Sequence, residues 1–179
     1  MENNNSLTIL ESKIYATASA ADRLVYSIGR ISNLELTPLT REKLSALTDS
    51  DMEVMDAFIY RYGSLVANIQ DAIFKSIAEV EQEPTATMSN RDKTNLMERL
   101  GALPSAQVFS SIAHIRNKLM HDYTEEANKQ LERMNFIIIE SSHLVEIFLG
   151  ITTYAEKFDI HFALGYFSHL SSFANPSRA

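Results

Sequence analysis

Cysteine and tryptophan are absent from the 179 residues, and turn-formers are scarce, with 5 Gly and 4 Pro. Without cysteine there are no disulfides and no thiolate metal ligands, which suits a reducing, cytoplasmic setting. So few turn residues leave little material for many short strands and favour long helices. The opening residues MENNNSLTILES lack the basic flank and apolar core of a signal peptide. No stretch approaches ~18 uncharged apolar residues, so neither a membrane span nor a membrane partner is expected. Positive charge is also in deficit: 16 Lys and Arg stand against 23 Asp and Glu, for a formal net charge of −7. A general nucleic-acid binder shows a basic face. Any nucleic-acid contact here must be local, in a cationic cleft or in one completed by a second subunit.

What the chain does have is helical periodicity. Leu7, Leu10, Ile14, Ala18, Ala21, Leu24, Ile28 and Ile31 recur at steps of three and four, predicting a first helix over roughly 7–32. Pro38 interrupts a connector over 33–49, in which Thr40 to Lys43 can nucleate a short helical turn. Asp49 or Ser50 then caps a second long helix, with Met52, Met55, Phe58, Tyr62, Leu65, Ile69, Ile73, Ile77 and Val80 as its stripe. It ends before Pro84. A third, short helix starts at a cap between Ser89 and Asp92 and stops at Gly101. Pro104 suits the first turn of a fourth, whose Val108, Ile112, Ile115 and Leu119 face inward. The fifth runs from about Thr124, with Ala127, Leu131, Met134, Ile138, Val145 and Phe148 inside and a Glu125–Lys129 pair outside.

Five amphipathic helices with short links predict an all-α, up-and-down bundle over residues 1–153. Residues 154–179 form an aromatic-rich extension. Phe162, Tyr166, Leu170 and Phe173 keep helical spacing there, so the segment is either a last helix packed on the bundle or a partner-docking element.

Most catalytic signatures are missing: there is no Gly-rich phosphate loop, no G-x-S-x-G and no H-E-x-x-H. The histidines at 114, 121, 143, 161 and 169 never pair at i,i+3 or i,i+4, so no helical metal site is written in one segment. His114 lies two residues before Arg116 and is expected to point elsewhere. His143 reads as a half-buried helix residue, and His161 and His169 as caps or packing. Met52, Met55 and Met134 read as core fillers. Arg61 between Tyr60 and Tyr62 could line a nucleic-acid surface, although packing explains it as well.

One stretch stands out: Arg116-Asn117-Lys118-Leu119-Met120-His121-Asp122-Tyr123. Arg116 borders the apolar stripe of the fourth helix. His121 follows it by five residues, about 140° around a continued helix. The two converge on one ligand only if the helix ends near Met120 or a second subunit contributes. Histidine titrates near neutrality and can move a proton, and arginine presents a planar fork to phosphate oxygens. RNA cleavage without a metal needs such a proton carrier and such a cation; one of each is sparse equipment, which a dimer doubles. The same residue types are also common caps at helix C-termini.

The octapeptide resembles the Arg-x4-6-His motif of HEPN domains and, more narrowly, the Arg-x4-His-x-Tyr form of HepT-type toxins. The order of helices from about Asp51 to Phe148 is similar too. The resemblance implies an all-α homodimer whose two motifs meet in an interface cleft and cleave RNA with no metal or other cofactor. Arg116 is then the ligand of the scissile phosphate and His121 the general acid/base, with Asn117 and Lys118 as supporting RNA contacts. It further implies a type VII-like toxin–antitoxin pair, in which a cognate nucleotidyltransferase of the MNT type modifies Tyr123. A non-catalytic HEPN-like module that binds a nucleotide or a partner protein is the alternative.

Overall fold

In a computed structural model that describes residues 2–121 and 127–176, every regular element is helical and no strand occurs among the described residues. Helix α1 spans Glu2–Asn33, α2 Arg41–Ser45, α3 Asp49–Ala67, α4 Phe74–Val80, α5 Asn90–Leu100, α6 Ala106–His121, α7 Ala127–Ala155 and α8 Ser168–Ala174. A π-helical stretch over Asn68–Ile73 joins α3 to α4.

Local chemistry sets most of the boundaries. Thr48 caps α3 and Ser89 caps α5, each accepting from the backbone N–H three residues on, while Asp51 and Asp92 return the bond to the cap. The cap of α3 is therefore Thr48 and not Asp49 or Ser50. Gly101 ends α5 in a left-handed conformation, φ +83°, that a β-carbon would strain. Pro104 lies before α6 and not in its first turn; Ser105 accepts from the Val108 N–H there. The start expected near Thr124 and the Glu125–Lys129 pair lie outside the described residues.

Helix α1 is the spine, packing against α3, α4, α7 and α8. Its Leu10, Ile14, Ala18, Ala21 and Leu24 are fully buried, as the spacing predicts. Phe58, Tyr62, Phe74, Phe109 and Phe148 fill the centre, with Phe74 and Phe109 at 5.0 Å between ring centroids. Two stripes differ from expectation. In α6 the deepest residues are Ala106, Phe109, Ile112 and Ala113, while Val108, Ile115 and Leu119 are half-buried. In α7 the sealed face is Ile137, Leu144, Val145, Ile147, Phe148 and Ile151. Leu131, Met134 and Ile138 are half-buried, and Ala127 is exposed. The reason is that α7 carries apolar residues on several sides, so periodicity alone does not say which side meets α1. Length and composition would let Ala127–Phe158 cross a membrane; in the fold its Ile137, Leu144, Val145, Phe148 and Ile151 are buried. Met52 is 37% exposed and fills no core, unlike Met55.

The C-terminal segment packs on α1. Its rings form a cluster in which Phe162 meets Tyr15 at 5.4 Å, Phe167 at 5.5 Å and Phe148 at 6.1 Å. Asp22 accepts from the Leu170 N–H, and Leu170 is fully buried. It is a short helix, α8, after two 3-10 turns, Glu156–Phe158 and Leu164–Tyr166.

Candidate functional site

Helix α6 brings the motif to the end of the core. Steps of three and four from Phe109 and Ile112 lead to Arg116, so the arginine continues the buried stripe. Its side chain is half-buried. One guanidinium nitrogen donates to Asn117 Oδ1 at 2.8 Å. Its Nε is fully buried with no hydrogen-bond partner among the described residues. A buried donor left unpaired costs on the order of 1–3 kcal/mol, so Arg116 sits where stability alone would not put a guanidinium.

Asn117, the acceptor, opens onto a cleft of about 750 Å³ between α5 and α6. Arg91, Asn95 and Glu98 come from α5, and Gln107, Ser110 and His114 from α6. Gln70 joins them from the π-helical stretch, the kind of wide turn that often marks a working surface. Four carboxamides, those of Gln70, Asn95, Gln107 and Asn117, thus share one cleft; each carries both donors and an acceptor. Glu98 is occupied at one oxygen by the Ala106 N–H, 3.2 Å away, at the start of α6.

The sequence candidates separate in space. Arg116 and Asn117 are joined by a hydrogen bond, one toward the core and one toward the cleft. Lys118 is half-buried. His121 is the last residue of α6, so helical geometry leaves its position about 140° around the axis from Arg116. The helix does not end early enough to bring the two positions together. Tyr123 and the side chain of His121 lie outside the described residues. His114, expected to point elsewhere, does diverge from Arg116, yet it stands beside Asn117 on the cleft wall. The cleft-facing run Gln107, Ser110, His114 and Asn117 was legible as a polar i, i+3, i+7, i+10 set; the partners from α5 and the π turn were not.

The remaining histidines do local work. His143 bonds Glu140 at 3.2 Å, His161 bonds Asp159 at 3.0 Å, and His169 packs on the Tyr26 ring at 5.2 Å. Tyr62 is a core residue, with burial first and the Glu140 carboxylate second pushing its phenol above the usual range. Among the described residues no three His, Asp or Glu side chains stand close enough to hold a metal ion.

Comparison with known proteins gives no match: no family model, no curated protein and no solved structure is similar to the chain at a level that identifies it.

Proposed function

We propose that the chain is a metal-independent endoribonuclease, the toxin of a type VII-like toxin–antitoxin pair, built as a HEPN-like up-and-down bundle and working as a homodimer. The observation that carries the reading is Arg116: a half-buried guanidinium bonded to Asn117, which itself lines a polar cleft. The terminal N–H donors of such a guanidinium form a planar fork that fits phosphate oxygens.

The chemistry then needs one proton carrier. The 2′-hydroxyl oxygen of RNA attacks the adjacent phosphorus, and the bond from phosphorus to the 5′-oxygen breaks. His121 takes up the proton lost by the first or delivers the one gained by the second. Arg116 offsets the charge that builds on the phosphorane. Because the two positions diverge on one helix, Arg116 of one copy works with the histidine of the other. In such a pairing, Ile139, which is 62% exposed on α7, is a residue that the second copy would cover. A cognate MNT-type nucleotidyltransferase neutralises the enzyme by modifying Tyr123. A bulky anionic adduct two residues from His121 blocks the cleft and repels RNA.

The test is incubation of unmodified protein with RNA in EDTA, beside Arg116→Ala and His121→Ala, with folding checked by circular dichroism. Cleavage by the parent chain alone is expected. Equal cleavage by both variants removes the motif from the mechanism. A second reading draws on the amide-lined cleft: a non-catalytic HEPN-like module that holds a nucleotide or partner there. Absence of cleavage by all three proteins, with Tyr123 unmodified by intact mass, favours that module.

A further inference from the structure

Apart from the motif, the edge of the α1–α3 contact carries a groove. Two depressions, of about 560 Å³ and 300 Å³, run into each other through Ala57 and Arg61, which line both. Ala16 and Ala20 keep the first shallow, and Arg23, Tyr60 and Arg61 rise from its walls. Tyr26 and Arg30 continue the line in the second, where Glu53 is the lining carboxylate.

Three arginines in one groove are unexpected in a chain with seven more acids than bases. Arg23, Arg30 and Arg61 have no carboxylate within 4 Å among the described residues, and a longer-range attraction links Arg30 to Asp51. Two are instead held in place by neutral partners. Arg61 donates to the Ser27 hydroxyl and lies 5.7 Å from the centre of the Tyr26 ring, and Arg30 donates to the Tyr26 hydroxyl at 3.1 Å. A guanidinium carries five N–H donors, so each keeps several for an anion. Arg23 and Arg30 lie seven residues apart on α1, about 10 Å along its axis, which makes a row of charge and not a single point. Tyr60 stands beside the row, 68% exposed, with no other ring packed on it among the described residues.

We infer that this groove binds single-stranded RNA, with Arg23, Arg30 and Arg61 on consecutive phosphates and Tyr60 as a stacking platform for a base. The assignment rests on the ribonuclease reading for its choice of RNA as ligand, but none of its residues belongs to the motif. A row of cations beside a bare aromatic ring is what a single strand needs, since every base offers a π-face and every nucleotide a phosphate. An acidic protein segment would use the arginines and leave Tyr60 idle. The groove also bears on the charge problem: an acidic protein can hold RNA at a local row of arginines.

The experiment measures anisotropy of a labelled oligouridylate of about 20 nucleotides on full-length His121→Ala, which removes turnover, across a series of salt concentrations. Adding Arg23→Ala and Arg30→Ala together is expected to weaken binding at least tenfold at low salt. It should also flatten the slope of log affinity against log salt by about 1.4, at roughly 0.7 per lost phosphate contact on a single strand. Tyr60→Ala is expected to weaken binding by about tenfold with the slope unchanged, as loss of a stacked base does. All three side chains are exposed, so the fold tolerates the changes. Binding that is indifferent to both variants, or absent throughout, overturns the groove. Polyglutamate bound as tightly as RNA, with no effect of Tyr60→Ala, assigns it to an acidic protein segment instead. Cleavage in EDTA with groove-independent binding would leave the ribonuclease reading standing. Groove-dependent binding without cleavage would sink that reading and leave the groove.

Discussion

Asn135 clamps the backbone of Leu39, ninety-six residues before it, from both sides. Its Oδ1 accepts from the Leu39 N–H at 2.7 Å and its Nδ2 donates to the Leu39 carbonyl at 2.8 Å. The same Nδ2 also reaches the Leu131 carbonyl at 3.1 Å. Leu39 is 2% exposed, so water is a poor substitute for either bond. One side chain on α7 thereby ties down the connector between α1 and α3.

Asn135→Ala strands two buried backbone groups. The expected loss is about 1–3 kcal/mol, read from the midpoint of urea unfolding. Asn135→Leu, which adds apolar volume and no hydrogen bond, should lose as much. An unchanged midpoint in both would mean that the connector contributes nothing to the fold.

Arg116 puts stability and activity in opposition. Replacing it by Met keeps the length and removes an unpaired buried donor, so stability should hold or rise by about 1 kcal/mol while RNA cleavage disappears. Thermal unfolding and a cleavage assay on the same sample decide it. A clear drop in Tm would make Arg116 a structural residue.

Asn117 is a positioning residue under the same reading, acting through its bond to Arg116. Asn117→Ala should lower kcat about tenfold and leave the pH profile of cleavage unchanged, whereas Asn117→Gln, which keeps an amide oxygen as acceptor, should retain more of the activity. Equal losses in both variants would show that the bond does not matter.

Ile139 tests the homodimer. Ile139→Lys places a charge on a residue already 62% exposed, so the protomer should stay folded. Light scattering should report a monomer, and cleavage should fall with it. A dimer of unaltered mass moves the interface away from this part of α7.

At the far end of α7, Lys157 and Tyr154 both donate to the Glu81 carboxylate, Tyr154 at 2.5 Å. The bond from Lys157 foremost, and that from Tyr154 next, holds the Glu81 carboxyl below its usual 4.5. A carboxyl lowered by folding adds stability above its unfolded value and gives it up as pH falls through the folded one. Glu81→Gln should therefore cost about 0.5–1 kcal/mol near neutral pH, since Lys157 is largely solvated, and nothing in strong acid. Urea midpoints of both proteins should converge as pH drops below 4.5. A constant gap would assign the cost to packing.

The sequence by itself determined what is local. Caps three residues from their partners, a glycine that tolerates positive φ, and apolar steps of three and four are chemistry within one or two turns. The helices, the stop at Gly101 and the Arg116–His121 spacing follow from them. Tertiary structure decided which side of each helix is used. Tyr60 and Tyr62 are two residues apart, yet one is 68% exposed and the other 1%, because α1, α6 and α7 together enclose only one side of α3. α7 is apolar on several sides, so its neighbours, and not its pattern, select Ile137 and Leu144 over Leu131 and Met134. The α5–α6 cleft and the α1–α3 groove collect residues tens of positions apart. No periodicity records that, because it arises from the packing of one helix against another.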